Sequence, residues 1–383
     1  MVAASRATVL AVARAGPESG PAESVSIIVP VRNAEGTLGA TLDALAELPP
    51  GWELVVVDDH STDATRAVAA ARDVTVVPSA GRRSAAAARN TGIRETHGSV
   101  VVFLDADVVV APWVLAPAAR RVAAGGPDAL FGVYDRGDHL PGLVARYKNY
   151  WIRHSTLRAR GPLDWMNTSV AVVRRESLER AGFFDHAIGL DEGDDLDLGR
   201  RLAAAGCVIA ADPRLEISHL KRFDLGRLVA NDFGRSRGWF RMALAHYGLL
   251  GALRRWSWAN VDRSFCTGVV LAGAAPLLLA GSAVAPALLP GAAAALALHP
   301  LVNARFLLAA ARDRIRGAAL FPLLLFVDQL ACAAGLGAEL ACRLLPRRRR
   351  PAAAPAAVRW TARGSAAVVA AAAGSDEQPP RGR

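Results

Sequence analysis

Three short, largely apolar runs constrain this chain most. They are Val25-Ser26-Ile27-Ile28-Val29-Pro30, Glu53-Leu54-Val55-Val56-Val57 and Val100-Val101-Val102-Phe103-Leu104. Runs of this length bounded by turn signals read as buried strands. Between the first two, Leu38, Leu42, Leu45 and Leu48 recur at helical spacing over Thr37 to Leu48. The order continues through a strand at Val74-Val77, a helix from Ala85 to Glu95, and the third run. Strand–helix alternation predicts an α/β fold with a mainly parallel, doubly wound sheet. Polar residues at the strand ends then share one edge: Asp58 and Asp59 after the second run, Asp105 and Asp107 after the third. Ligands of open α/β sheets bind at that edge.

Asp105-Ala106-Asp107 carries chemistry of its own. Two carboxylates one residue apart suit Mg²⁺ or Mn²⁺, hard ions that usually also hold substrate phosphates. Taken alone, such a pair is as readily a chance surface feature. Its company decides. Ile28-Val29-Pro30-Val31-Arg32-Asn33, Val56-Val57-Asp58-Asp59-His60-Ser61-Thr62-Asp63, Ala88-Arg89-Asn90-Thr91-Gly92-Ile93 and Phe103-Leu104-Asp105-Ala106-Asp107 resemble the motifs of family-2 glycosyltransferases of GT-A fold. A fifth element, Gly193-Asp194-Asp195-Leu196-Asp197-Leu198-Gly199-Arg200-Arg201-Leu202, resembles that family's Glu-Asp-x-Asp-Leu segment. The likeness spans residues 24–225.

The resemblance implies transfer of a sugar from a UDP-, GDP- or dTDP-linked donor with Mg²⁺ or Mn²⁺. Asp107 would hold the metal, with Asp105 acting through water or the ribose. Asp58 or Asp59 would bind the base or ribose, and Pro30 and Asn33 lie on the donor side. Arg82, Arg83 and Arg89 are candidates for the diphosphate, because guanidinium matches phosphate geometry; for Arg89 the other reading is a helix-surface charge. Asp195 would be the general base of an inverting displacement, with Asp194 standing where glutamate is usual. The same acids also suit the N-terminus of a helix running from Leu196 to Ala205. Asp191, Glu192 and Asp197 read as helix-entry or orienting residues.

Trp165-Met166-Asn167-Thr168-Ser169 precedes a strand at Val170-Val173 and a helix that opens at Arg174-Arg175-Glu176 and ends at Gly182. In the resembling family this stretch lines the acceptor side. Trp165 would stack on a sugar or anchor a loop, and Asn167 and Thr168 would orient hydroxyls. His219, after a strand at Leu215-Ile217, is either structural or a contact to the metal or diphosphate.

Beyond residue 225 the composition changes. Phe223 to Trp258 interleaves arginines with aromatics, as in amphipathic helices at a membrane surface. Phe265 to Ala283 and Ala285 to Leu301 carry no charge and suit two spans, with Pro286 and Pro290 marking the turn. Arg305, Arg312, Arg314 and Arg316 form a basic loop before a third apolar segment, Ala318 to Leu345, which holds Asp328 and Glu339. Asp328 should face protein rather than lipid. The third segment either spans, which would place Arg347 to Arg350 against the positive-inside bias, or is re-entrant or interfacial and returns; three spans is the preferred reading. The expected organisation is a flexible lead over 1–23, a GT-A domain over 24–225, interfacial helices over 226–263, a membrane region over 264–345 and a basic, disordered tail over 346–383. The expected location is the cytoplasmic membrane, multi-pass, with the catalytic domain in the cytoplasm. A lipid or lipid-linked acceptor follows, since a soluble acceptor would need no membrane segment.

The net charge of +10 collects near the apolar part, which fits an anionic membrane surface and not a nucleic acid. Cys207, Cys266, Cys332 and Cys342 are widely spaced and imply no disulfide framework or metal site. Ala7 to Ala13, bracketed by Arg6 and Arg14, is too short for a signal-peptide core. Processive members of the resembling family carry Gln-x-x-Arg-Trp here; Arg235-Ser236-Arg237-Gly238-Trp239 matches only at tryptophan, which favours single-sugar transfer. Two alternatives remain open: a sugar-phosphate nucleotidyltransferase and an inactive membrane scaffold of the same fold.

Overall fold

A computed structural model describes residues 24–81, 83–185, 193–254 and 260–344. The lead, Arg82, Asp191, Glu192, Trp256, Trp258 and the basic tail lie outside the described residues. The chain begins β1 (Val25–Val31), α1 (Leu38–Ala44), β2 (Trp52–Asp58), α2 (Thr65–Ala70), β3 (Thr75–Pro78), α3 (Ala85–Glu95) and β4 (Val100–Leu104). The expected strand–helix order is present, and α3 and β4 have the expected bounds. Helix α1 is shorter than its leucine pattern, because Leu45 already leaves helical geometry.

The central strands β1 and β4 are buried on both faces, which is why each reads as a continuous apolar run. Ile27 and Val29 point into one core layer with Leu38, Leu42 and Leu115, whereas Ile28 points into the other with Ala88, Ile93 and Leu198. That division is the two-residue period of a strand.

Next come β5 (Val108–Val109), α4 (Pro112–Ala123), β6 (Ala129–Tyr134), α5 (Leu143–Leu157), β7 (Val170–Arg174), α6 (Arg175–Ala181), α7 (Asp194–Ala204) and β8 (Ile209–His219). The eight-stranded sheet has the order β3-β2-β1-β4-β7-β6-β8-β5. The half β3-β2-β1-β4 is parallel, as expected. The other half is mixed: β7 runs antiparallel to both β4 and β6, and β6 runs parallel to β8. A register shift separates Phe131 from Val133 opposite β8, and Gly132 sits at it. A Cβ on Gly132 would lie 2.4 Å from the Leu215 carbonyl oxygen, so no larger residue fits.

The remaining helices are α8 (Leu225–Arg254), α9 (Arg263–Gly281), α10 (Leu289–Val302), α11 (Ala304–Arg312) and α12 (Phe321–Leu344). Gly248 (φ 63°) breaks α8. The uncharged turn after α9 includes a 3₁₀ segment at Pro286–Leu288. By length and hydropathy, α9 and the Ala318–Arg343 segment could cross a membrane. Helix α10 counts as a third span only together with α11, from which it is bent by 47°. The expected basic loop is therefore partly helix: Arg305 and Arg312 lie on α11, whose Phe306 and Ala310 are buried against the domain.

Helix α5 joins the sheet domain to this apolar part. Phe306 and Phe321 pack edge-on against Tyr147, and Phe265 packs against Trp151. Asp328 is fully buried and faces protein, as its charge required. It accepts a hydrogen bond from the Tyr147 hydroxyl at 2.7 Å and lies 3.5 Å from Lys148 Nζ. Lys148 in turn donates to Asp232 of α8 at 2.6 Å. On the same helix, Arg237 and Arg241 reach Glu339 of α12, so these two arginines face a carboxylate within the fold. Gly335 lets α12 approach α8 closely: a Cβ there would meet Ser236 Oγ at 2.1 Å.

Breaking a buried ion pair from one side leaves a charge without compensation. Lys148→Met is expected to cost about 3–5 kcal/mol and to lower the thermal midpoint of the detergent-solubilised protein by several degrees, read by tryptophan fluorescence.

Candidate active site

The site lies where the parallel strands end. At the end of β2, Asp58 is buried and already engaged. It accepts from Arg66 Nε at 2.6 Å and from the Ser61 amide at 3.1 Å. Burial pushes its pKa up, but Ser61 and Arg66 together hold it below the usual value. Asp59 differs. It is 4% exposed, and its Oδ1 has no hydrogen-bond partner. Ser79 Oγ, just beyond β3, is likewise buried without a partner. Buried polar atoms are nearly always paired, so two such atoms at one strand edge mark a place for a ligand's polar groups.

Asn33, in the left-handed region at φ 49°, faces this edge from the loop after β1. Its Oδ1 accepts from the Thr62 amide at 2.8 Å, and its own amide donates to Ser61 Oγ at 3.1 Å. Asn33 thus stitches the β1 and β2 loops together. Pro30, half-buried in β1, sits opposite Val57. Arg83 is exposed just before Ser84, which caps α3 by accepting from the Ala87 amide at 3.1 Å.

Beyond β4 the carboxylates converge. Arg89 of α3, 6% exposed, donates to Asp105 at 3.1 Å and to Asp194 at 2.8 Å. The sequence offered a phosphate contact or a surface charge for Arg89; here its guanidinium bridges two carboxylates, with Nε unpartnered and the face of Phe184 5.4 Å away. Burial raises the Asp105 pKa, opposed by Arg89 and reinforced by Asp107. For Asp107 burial also acts upward, but His219 and Lys221 hold the pKa below the usual value. His219 Nε2 lies 3.5 Å from Asp107 Oδ1, and its ring stacks on Tyr134 at 4.7 Å.

Asp194 and Asp195 open helix α7 after Gly193. Burial, then the charge of Asp194, raises the Asp195 pKa to about 6. The charges of Arg89 and of Arg235 on α8 oppose that rise. Asp197 is buried and holds Arg201 at 2.8 Å; Arg201 donates to the carbonyls of Ala181 and Phe183, anchoring α7 against the end of α6. Asp105, Asp107 and His219 are oxygen and nitrogen donors suited to a divalent ion, and the two carboxylates raise each other's cost of ionisation. Among the described residues no group of three or more His, Cys, Asp or Glu is arranged to hold a metal ion.

In the stretch expected to line the acceptor side, Trp165 is 7% exposed and packs on Phe131 at 4.9 Å. It anchors the loop. Asn167 accepts from the Ser169 amide at 3.0 Å, and Thr168 is buried. Tyr134, Ser169 and Arg235 were not singled out from the sequence as site residues. The Tyr134 hydroxyl lies 2.8 Å from Ser169 Oγ, and the Ser169 carbonyl accepts from the Asp105 amide at 3.1 Å. A polar residue closing an apolar run, the signal that marks Asp58 and Asp105, also marks Tyr134 at the end of β6.

Residues 26–182 match the family model described as glycosyl transferase family 2. A pre-mycofactocin glycosyltransferase of Mycobacterium tuberculosis is 26% identical over 243 residues, which cover 57% of this chain and 47% of that protein. A UDP-Glc:α-D-GlcNAc-diphosphoundecaprenol β-1,3-glucosyltransferase of Escherichia coli is 39% identical over 87 residues, 22% of this chain and 34% of that one. The chain spans about half the length, or less, of these relatives. Among solved structures, a mannosyltransferase of Pyrobaculum calidifontis in complex with GDP-Man and Mn²⁺ shares the fold at 23% identity and a TM-score of 0.51, covering 83% of this chain and 87% of that one.

The raised Asp195 pKa makes a signed prediction. A carboxyl with a folded pKa near 6 and an ordinary value of 3.8 is favourable to folding below pH 3.8 and loses that advantage as pH rises through 6. Asp195→Asn should therefore stabilise the metal-free protein at pH 8 by roughly 1–3 kcal/mol and leave it unchanged near pH 3.5, as read by thermal melts in EDTA.

Proposed function

We propose, from the premise that residues 26–182 belong to glycosyl transferase family 2, that this protein is an inverting transferase. It moves a single sugar from a nucleoside-diphosphate donor to a lipid or lipid-linked acceptor at the cytoplasmic face of a membrane. The carrying observation is that the buried guanidinium of Arg89 joins Asp105, which has Asp107 beside it, to Asp194, which has Asp195 beside it. In this reading the first pair serves the leaving diphosphate and the second the acceptor hydroxyl.

Asp59 and Ser79, with unused polar atoms, receive the nucleoside, and Asn33 keeps their loops in place. Asp107, with Asp105 and His219 beside it, would hold Mg²⁺ or Mn²⁺, which supplies Lewis-acid neutralisation of charge on the departing diphosphate. Asp195 takes the acceptor's hydroxyl proton. The acceptor oxygen bonds to the anomeric carbon from the face opposite the diphosphate, the carbon–oxygen bond to the diphosphate breaks, and the configuration inverts. A base with a pKa near 6 is ionised at neutral pH yet basic enough for the transfer. Arg89 holds Asp194 and Asp105 in register, so the two halves of the site keep their spacing.

The membrane reading rests on surface chemistry. Leu277, Leu289, Leu301 and Leu323 are each more than half exposed on the apolar helices. Large apolar side chains left exposed on apolar helices of this length suit a membrane or partner contact. Arg263 opens α9, and Arg305 and Arg312 lie on α11 beyond α10, while the turn near Pro286 between α9 and α10 carries no charge. Positive charge collects on the cytoplasmic side.

The test is nucleoside-diphosphate release by membranes containing the protein, screened across UDP-, GDP- and dTDP-sugars with Mg²⁺ or Mn²⁺. One donor should support release into a lipid-extractable product, with kcat/KM rising through pH 6 to a plateau. Asp195→Asn should lower kcat about 10²–10⁴-fold, and Asp107→Ala should abolish the metal dependence. Unchanged turnover in Asp195→Asn would overturn the base assignment, and pyrophosphate release from a nucleoside triphosphate would favour the nucleotidyltransferase.

A further inference from the structure

A cavity of about 350 Å³ lies between the end of α5, the start of α9 and the bend joining α10 to α11, and it reaches Trp165 and Arg200 of α7. Its lining includes four arginines, Arg158, Arg160, Arg200 and Arg305, against two acids, Asp164 and Asp262. Both acids are engaged: Asp262 lies 3.3 Å from Arg158, and Asp164 lies 4.0 Å from Arg200. Asp262 also caps α9, accepting from the Phe265 amide at 3.0 Å. Arg160 donates only to the nearby carbonyls of Leu157 and Ala159. Among the described residues neither Arg160 nor Arg305 pairs with a carboxylate. The cavity therefore holds more cationic charge than its own acids answer.

Its position says what kind of anion fits. Arg305 is exposed, with Leu301 four residues before it and Leu308 three after, at 66% and 54% exposure. Arg305 and Leu308, three residues apart on α11, share one exposed face, and Leu301 lies near the end of α10 just before the bend. An arginine set in an exposed apolar face is suited to the headgroup layer, its stem among acyl chains and its guanidinium at the phosphates. The bend beneath is held: Asn303 donates to the His299 carbonyl at 2.9 Å and accepts from Gln329 at 3.1 Å.

We propose that this cavity binds the phosphate headgroup of an anionic membrane lipid, with Arg160 and Arg305 as its principal contacts. The lipid's chains would lie along the exposed leucines of α10 and α11. Basic pockets at the cytoplasmic roots of membrane helices bind such headgroups. The site rests on the membrane reading above but not on catalysis, so binding is measured instead of turnover.

The test uses the full chain in detergent, with thermal shift and vesicle co-flotation. Phosphatidylglycerol should raise the melting temperature by several degrees, and phosphatidylcholine should not. The double variant Arg160→Glu/Arg305→Glu should bind phosphatidylglycerol at least about tenfold more weakly. Arg160→Lys/Arg305→Lys should keep most of the binding. Arg312→Glu, on the same helix but outside the cavity, should behave as the parent. Equal response to both lipids, or equal loss in Arg312→Glu, would overturn the site. Millimolar inorganic phosphate reproducing the full shift would assign a free-anion site instead. Flotation with neither vesicle would defeat the membrane reading, and the headgroup site with it; flotation with both and no preference would defeat the site alone.

Discussion

Arg89 holds the acidic edge of this protein together. Four aspartates, at 105, 107, 194 and 195, come from two elements that lie far apart in sequence, and their mutual repulsion would drive the edge open. One guanidinium placed between Asp105 and Asp194 offsets part of that repulsion and sets the distance between the elements. His219 and Lys221 answer Asp107, and Arg235 lies near Asp195. Burial and the charge of Asp194 hold the Asp195 pKa near 6, and on the proposed reading the acidic edge would take a divalent ion. The electrostatics that would bind the donor and the electrostatics that would tune the base are thus one network.

A second network ties this domain to its apolar helices. Lys148 lies between Asp232 and Asp328, with the Tyr147 hydroxyl on the latter. Buried ions are a weak source of stability compared with an apolar core, because desolvation offsets much of the attraction. They are directional, however. A cation on α5 that must meet one acid on α8 and another on α12 permits few ways of docking those helices, whereas leucine against leucine permits many. The apolar contacts of Phe265, Phe306 and Phe321 contribute area, and the charges contribute register.

Much of this was legible from residue order. The strands around Val29, Val56 and Val102 were readable because a strand buried on both faces leaves an unbroken apolar run. The helix from Ala85 to Glu95 was readable from its place in the strand–helix alternation. Asp58, Asp105 and Asp107 were readable because each closes such a run. Less visible was the mixed half of the sheet, since β7 carries the same Val-Ala-Val-Val pattern whichever way its neighbours run. The bent α10–α11 pair was hidden for a similar reason: a short uncharged helix and half of a span have the same composition.

Sequence alone determined that carboxylates would gather at one sheet edge and that the charged residues within the last apolar segment would need partners. Local periodicity and the cost of burying charge are properties of the residues themselves, and they require no knowledge of neighbours. Only the tertiary structure decided which of two adjacent aspartates keeps a free oxygen, that Arg89 faces carboxylates, that Trp165 is an anchor, and that Asp328 meets Lys148. Those outcomes depend on distances of about 3 Å between residues up to 180 positions apart, and hydrogen bonding and Coulomb attraction at that range are set by packing, which a one-dimensional pattern does not encode.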